Sequence, residues 1–219
     1  MTIEAAKLAR QVADAMSTPE KRCLVAGGLG PPPKTASVSP DMEDPSMRAI
    51  DFDELRVAYK EQLSGLVQGG SHLIFIETIF DTLNAKAAIA AYFEFFEEEN
   101  LERLPLFISG TLIDKAGRTL SGQTVEAFYA SVIHVKPFCV GLNCALGAPL
   151  MLPFYTRLTN IASCYVHAYP NAGLPNEMGG YDETKEEFSN NLAEFASVGA
   201  NMLGGCCGTD RTFIKALSE

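Results

Sequence analysis

Apolar residues recur along the chain in two alternating rhythms. Between 3 and 16, Ile3, Ala6, Ala9, Val12, Ala13 and Met16 fall at helical spacing, and Pro19 lies just beyond. The run at 23–31 then reads as a buried strand entering a glycine and proline turn, followed by a long polar loop through Pro40 and Pro45. Helical spacing returns at 52–67, 82–98, 123–134, 149–160, 184–197 and from 210 onward. Between these segments, short apolar runs predict strands at 72–78, 106–111, 138–144, 164–169 and 201–203. Most of these runs are apolar throughout rather than at every second residue, the pattern of strands covered on both faces.

Strand-then-helix alternation, with polar and unusual residues gathered at the carboxyl ends of the strands, predicts a (β/α)8 TIM barrel, whose active face lies at those ends. A doubly wound sheet competes with this reading, but no glycine-rich phosphate turn opens a helix. Six strands are two short of a full barrel, and the chain opens on a helix that should follow a strand. The expectation is a barrel truncated at the N-terminus, with strands three to eight present. Such a sheet has two unpaired edges, which makes the isolated chain marginally stable. Residues 1–219 are read as one domain, since 47% hydrophobic content supplies one sizeable core and no stretch resembles a linker.

Charge and composition narrow the class of partner. A net charge of -10 argues against nucleic acid, and no apolar run reaches the roughly 18 residues of a membrane span. A small molecule is the expected partner. Six cysteines with no apolar leader after Met1 fit a reducing, cytoplasmic setting in which thiols stay available.

The candidate chemistry lies in Asn-Met-Leu-Gly-Gly-Cys-Cys-Gly at 201–208, where adjacent cysteines stand among glycines as an apolar run ends. Successive strand side chains point to opposite faces, so Cys206 and Cys207 reach one ion only where the backbone bends, as Gly204, Gly205 and Gly208 permit. Cys144, in Gly-Leu-Asn-Cys-Ala-Leu-Gly, closes an earlier apolar run. Three sulfurs on one rim make a zinc site with an open fourth position. The alternative is that these thiols are small buried hydrophobes. Cys139 stands an odd number of residues before Cys144 and so faces away from it, while Cys164 sits at a strand start. Glu77 closes the apolar run at 72–78, and a carboxylate there needs a partner such as a lysine.

Four long motifs carry a resemblance. They are Ile-Glu-Thr-Ile-Phe-Asp-Thr-Leu-Asn-Ala-Lys from Ile76, Ser-Gly-Thr-Leu-Ile-Asp-Lys-Ala-Gly-Arg-Thr-Leu-Ser-Gly-Gln-Thr from Ser109, Gly-Leu-Asn-Cys-Ala-Leu-Gly from Gly141, and Gly-Gly-Cys-Cys-Gly-Thr from Gly204. With Tyr169-Pro170-Asn171-Ala172-Gly173-Leu174-Pro175, they make the whole chain resemble the homocysteine-binding domain of the cobalamin-dependent methionine synthases, within the homocysteine S-methyltransferase family. The last two motifs are shared with members using betaine or S-methylmethionine.

The resemblance implies a methyltransferase that activates homocysteine thiolate for conversion to methionine. It implies zinc on Cys144, Cys206 and Cys207, with no catalytic residue beyond these ligands. Asn171 is implied as occupant of the fourth position before substrate arrives, and Glu77 as holder of the substrate amino group. Asn171 also reads as a turn residue before Gly173. The methyl donor would be methylcobalamin, bound by a separate domain of the intact enzyme, with a folate domain as a further partner. The family's first-strand Asp-Gly-Gly/Ala-Met-Gly-Thr and second-strand Glu-Thr-Asn-Thr-Phe motifs do not occur here. The implied substrate pocket is therefore incomplete, and the chain alone is expected to be inactive. A competing reading is an inactive or regulatory module with a purely structural zinc.

Overall fold

The computed structural model describes residues 1–219. In chain order the elements are α1 (Thr2–Met16), β1 (Ala26–Leu29), α2 (Phe52–Gln68), β2 (Leu73–Ile79), α3 (Thr82–Glu98), β3 (Leu106–Gly110), α4 (Val125–Val132), β4 (Cys139–Gly147), α5 (Ala148–Ile161), β5 (Tyr165–Asn171), α6 (Lys185–Ser197), β6 (Met202–Leu203) and α7 (Arg211–Ser218). The strands form one parallel sheet in the order β1-β2-β3-β4-β5-β6. A sequential order is that of consecutive βα units in a barrel, and it excludes a doubly wound sheet, whose order reverses at a switch point. No helix is long and apolar enough to cross a membrane.

The chain divides into two compact units, 1–77 with 81–107, and 78–80 with 108–219. In the first unit, α2 starts at a capping box: Glu54 N–H donates to Asp51 Oδ1 (2.8 Å) and Asp51 N–H donates to Glu54 Oε2 (3.1 Å). Leu55, Tyr59, Leu63 and Leu66 make its buried face, and the outer turns reach α3 through Arg56 with Glu94 and Lys60 with Glu98. The end of α2 meets α1 very closely, because a Cβ on Gly69 would stand 2.3 Å from the Ala6 methyl carbon. Only glycine allows that approach.

The polar loop after β1 is pinned to the start of α3. Asp81, 1% exposed, caps the helix by accepting Leu83 N–H (2.9 Å), and also accepts Ser37 N–H (2.9 Å) and Ser37 Oγ–H (2.7 Å). Asn84 adds a bond from Ala36 N–H and another to the Lys34 carbonyl, both 2.9 Å.

The second unit has its own aromatic core. Ala148, Met151, Tyr155 and Leu158 of α5 recur at helical spacing and are buried, as are Phe188, Leu192 and Phe195 of α6. The Tyr155 and Phe195 rings are 5.0 Å apart, joining the two helices. Several boundaries differ from those the apolar pattern predicts: within the run at 23–31 only Ala26–Leu29 is strand, and the strand expected to stop at 169 reaches Asn171. The helix expected at 123–134 begins at Val125, because Thr124 is its N-cap and Gln123 is held in the preceding turn by Thr119 Oγ1 (2.9 Å). The strand expected to stop at 144 runs on to Gly147, across an irregularity.

Asp81→Ala removes a helix cap and leaves two half-buried donors of Ser37 without their acceptor. It is expected to lower the free energy of unfolding by about 2–4 kcal/mol, measured by urea denaturation.

Candidate metal centre

Strands β4 and β5 pair in step from Cys139↔Tyr165 to Asn143↔Tyr169, and the next pair is Gly147↔Asn171. Over that interval β4 advances four residues while β5 advances two, so β4 carries a bulge of two extra residues. Within it, Cys144 and Ala145 have φ of 60° and 55°, in the left-handed region that side chains beyond glycine rarely enter. The turn puts the Ala145 N–H on the Cys144 sulfur as a hydrogen-bond donor. A bulge at this point re-aims one side chain away from the regular alternation of the strand.

The other two sulfurs come from the segment after β6. Gly204 N–H donates to the Ala168 carbonyl (3.0 Å) and Cys206 N–H to the Pro170 carbonyl (2.9 Å), which extends the pairing with β5. Cys207 is fixed twice: its carbonyl accepts Ala172 N–H (2.9 Å), and its N–H donates to Asn171 Oδ1 (3.1 Å). The chain then leaves through Gly208 at φ 82°, where a Cβ would stand 2.4 Å from the ring of Tyr181. A side chain there would both strain the backbone and displace the tyrosine.

These paths bring three sulfurs together. Cys144 Sγ lies 3.6 Å from Cys207 Sγ, Cys207 Sγ lies 3.9 Å from Cys206 Sγ, and all three are within 4.8 Å of one another. Zinc at about 2.3 Å from each of three tetrahedral thiolates requires sulfur separations of about 3.8 Å. Two of the separations fall on either side of that value and the third is within 4.8 Å, so the donor set fits zinc. Asn171, 3% exposed, joins the cluster: its amide oxygen holds the Cys207 N–H, and its side chain also hydrogen-bonds Cys144.

The thiols share charge unequally. The hydrogen bond from Cys206 draws Cys144 down to about 5, with further help from Ala145 N–H, Cys207 and Asn171. Cys206 is pushed up, chiefly because it donates to Cys144 and then because of burial. Within this coupled cluster, Cys144 is the sulfur whose thiolate form is favoured. Tyr181 is raised as well, first by burial and then by the neighbouring Cys207.

Of the residues singled out in the sequence, Cys144, Cys206, Cys207 and Asn171 are brought into one cluster. Glu77 lies near the carboxyl end of β2, half-buried, and a Cβ on Gly28 would stand 2.6 Å from its Oε1, so that glycine leaves room for the carboxylate. Cys139 is outside the cluster, fully buried with its sulfur 3.3 Å from His167 Nδ1. Asn143 was not anticipated as part of the site. Fully buried, it bonds through its side chain to Thr78, with Thr78 N–H donating to Oδ1 (3.0 Å) and Nδ2 donating to Thr78 Oγ1 (2.9 Å). The only sequence signal was an asparagine closing a run of otherwise apolar strand residues.

Comparison with known proteins agrees with this architecture. The homocysteine S-methyltransferase family model matches residues 1–219. The crystal structure of the apo form of the homocysteine methyltransferase MmuM from Escherichia coli superposes with a TM-score of 0.73 at 19% identity, over 99% of this chain and 71% of that one. Its metallated form gives 0.72 at 21% identity, over 98% and 67%. At such identities the likeness is one of fold.

In the metal-free protein, iodoacetamide at pH 6 is expected to alkylate Cys144 well before Cys139, whose thiol burial pushes up to about 12. Peptide mapping by mass spectrometry reads the order, and equal modification of the two would contradict the favoured thiolate at Cys144.

Proposed function

The chain belongs to the homocysteine S-methyltransferase family, and from that premise we propose that Cys144, Cys206 and Cys207 hold a zinc ion at which homocysteine thiolate is presented for methylation to methionine. The observation that carries this reading is the spacing of the three sulfurs, 3.6 and 3.9 Å for the two neighbouring pairs, beside the amide of Asn171. Three thiolates leave a tetrahedral ion one open position, the mark of a working rather than a closed site. Cys139, turned toward His167, is unsuited to close it.

A free thiol near pKa 8.5 is only a few per cent thiolate at neutral pH. Zinc, when bound, supplies the Lewis acidity that brings the substrate thiol to its thiolate form by releasing a proton. The chain's residues do the rest. Cys144, Cys206 and Cys207 keep the corner anionic, so the substrate sulfur remains nucleophilic. Asn171, whose amide lies beside Cys207 and Cys144, would hold the ion's remaining position and give way to the homocysteine sulfur. Glu77, a carboxylate at a strand end, takes the substrate amino group. The substrate sulfur's lone pair attacks the donor's methyl carbon, the sulfur–carbon bond forms as the donor–carbon bond breaks, and methionine departs as a neutral thioether.

The resemblance of the motifs at Ile76 and Ser109 favours methylcobalamin, carried by a separate domain beside a folate domain, as the methyl donor. Betaine or S-methylmethionine would serve the same sulfur chemistry. Six free cysteines fit work in a reducing compartment such as the cytosol.

Metal analysis of the protein purified with zinc is expected to find one ion per chain. Cys206→Ser and Cys207→Ser should each lose it, and homocysteine binding by calorimetry should disappear with it. Homocysteine binding that persists unchanged in the zinc-free double variant would refute the proposal.

A further inference from the structure

Five residues other than glycine have positive φ, and three of them, Thr78, Cys144 and Ala145 at 57°, 60° and 55°, adjoin or touch Asn143. A β-branched threonine in that region is a genuine outlier, and strain of this kind persists only where the surroundings over-determine it. Asn143 is the common element. Its side-chain amide satisfies both the N–H and the hydroxyl of Thr78 (3.0 and 2.9 Å), while its carbonyl accepts the hydroxyl of Thr111 (3.0 Å). Asn143 and Thr111 are buried, at 0% and 3% exposure, so water is kept from the bond between them, while the bonds to Thr78 are half-buried. The peptide that carries Cys144 is thus fixed on its N-terminal side just where the two extra residues of β4 begin.

We propose that Asn143 is the positioning residue of the metal centre, holding the β4 bulge in its left-handed form so that the Cys144 sulfur faces Cys206 and Cys207. Asn143 does not ligate; it acts through the backbone of the next two residues. The role rests on the reading that the three cysteines hold zinc. Without the clamp, Cys144 and Ala145 relax toward negative φ, where the Cys144 side chain returns to the regular strand alternation and leaves the cluster with two sulfurs. Glycine at 145 needs no such clamp, since it takes positive φ without a Cβ penalty.

Zinc affinity by chelator competition, with the cobalt(II) absorption spectrum as a reporter of tetrahedral thiolate ligation, tests this on the full chain. Asn143→Ala is expected to weaken zinc binding at least tenfold and to diminish the thiolate-to-cobalt band. The double variant Asn143→Ala with Ala145→Gly should recover most of the loss, a rescue that a general packing defect would not show. Thr111→Val is nearly isosteric and removes only the hydroxyl bond to the Asn143 carbonyl, so it tests the clamp even where Asn143→Ala does not fold. It should weaken binding several-fold. Wild-type affinity in either single variant, or no recovery with Ala145→Gly, would overturn the role of Asn143 while leaving the metal site standing. Absence of zinc binding in the unmodified chain would overturn the metal reading and this role with it.

Discussion

The site depends on a mismatch between two neighbouring strands. Where β5 runs two residues from Tyr169 to Asn171, β4 runs four from Asn143 to Gly147, and the surplus is Cys144 with its neighbours. The end of β5 is the shared reference for both halves of the corner. On one side it pairs with the residue that closes the bulge, and on the other Pro170, Asn171 and Ala172 each hold the Cys206–Cys207 segment by a hydrogen bond. Three sulfurs from distant parts of the sequence are therefore placed by one short piece of strand. Such preorganisation matters for a metal centre, because ligands already at the required separation lose little further freedom on binding.

Electrostatics reinforce the geometry. Three thiols this close cannot all ionise without a cation among them, and within the cluster the thiolate form is favoured at Cys144, stabilised by the thiols and N–H groups around it. That state is compact, with the sulfurs already facing one another. A divalent cation displaces the remaining thiol protons and turns mutual repulsion into shared attraction. The same logic suits a substrate that arrives as a thiol and must lose its proton: one more sulfur completes a tetrahedral set.

Much of the fold was legible because each signal was local. The apolar run ending at Glu77 and the helical spacing over 52–67, which buries Leu55, Tyr59 and Leu63, depend on neighbours only a few residues away. The convergence of Cys144, Cys206 and Cys207 was legible for a related reason, since adjacent cysteines among glycines are poor core. Cys139 does lie apart from Cys144, although the bulge breaks the alternation on which the parity argument relied. The bulge was not legible, because it exists only as a difference in length between β4 and β5 and leaves no periodic trace in either strand. Asn143 was missed with it: its partners Thr78 and Thr111 are remote in sequence, and a buried asparagine is read only when its bonds are seen.

The central claim is that these three sulfurs hold one zinc ion with a position that substrate sulfur can take. Zinc-edge X-ray absorption on the zinc-loaded chain, before and after saturation with homocysteine, examines that claim directly. The account predicts three sulfur ligands and one lighter atom before homocysteine, and four sulfurs after it. Four sulfurs without substrate, or an unchanged spectrum on addition, would mean that the corner is a closed structural site.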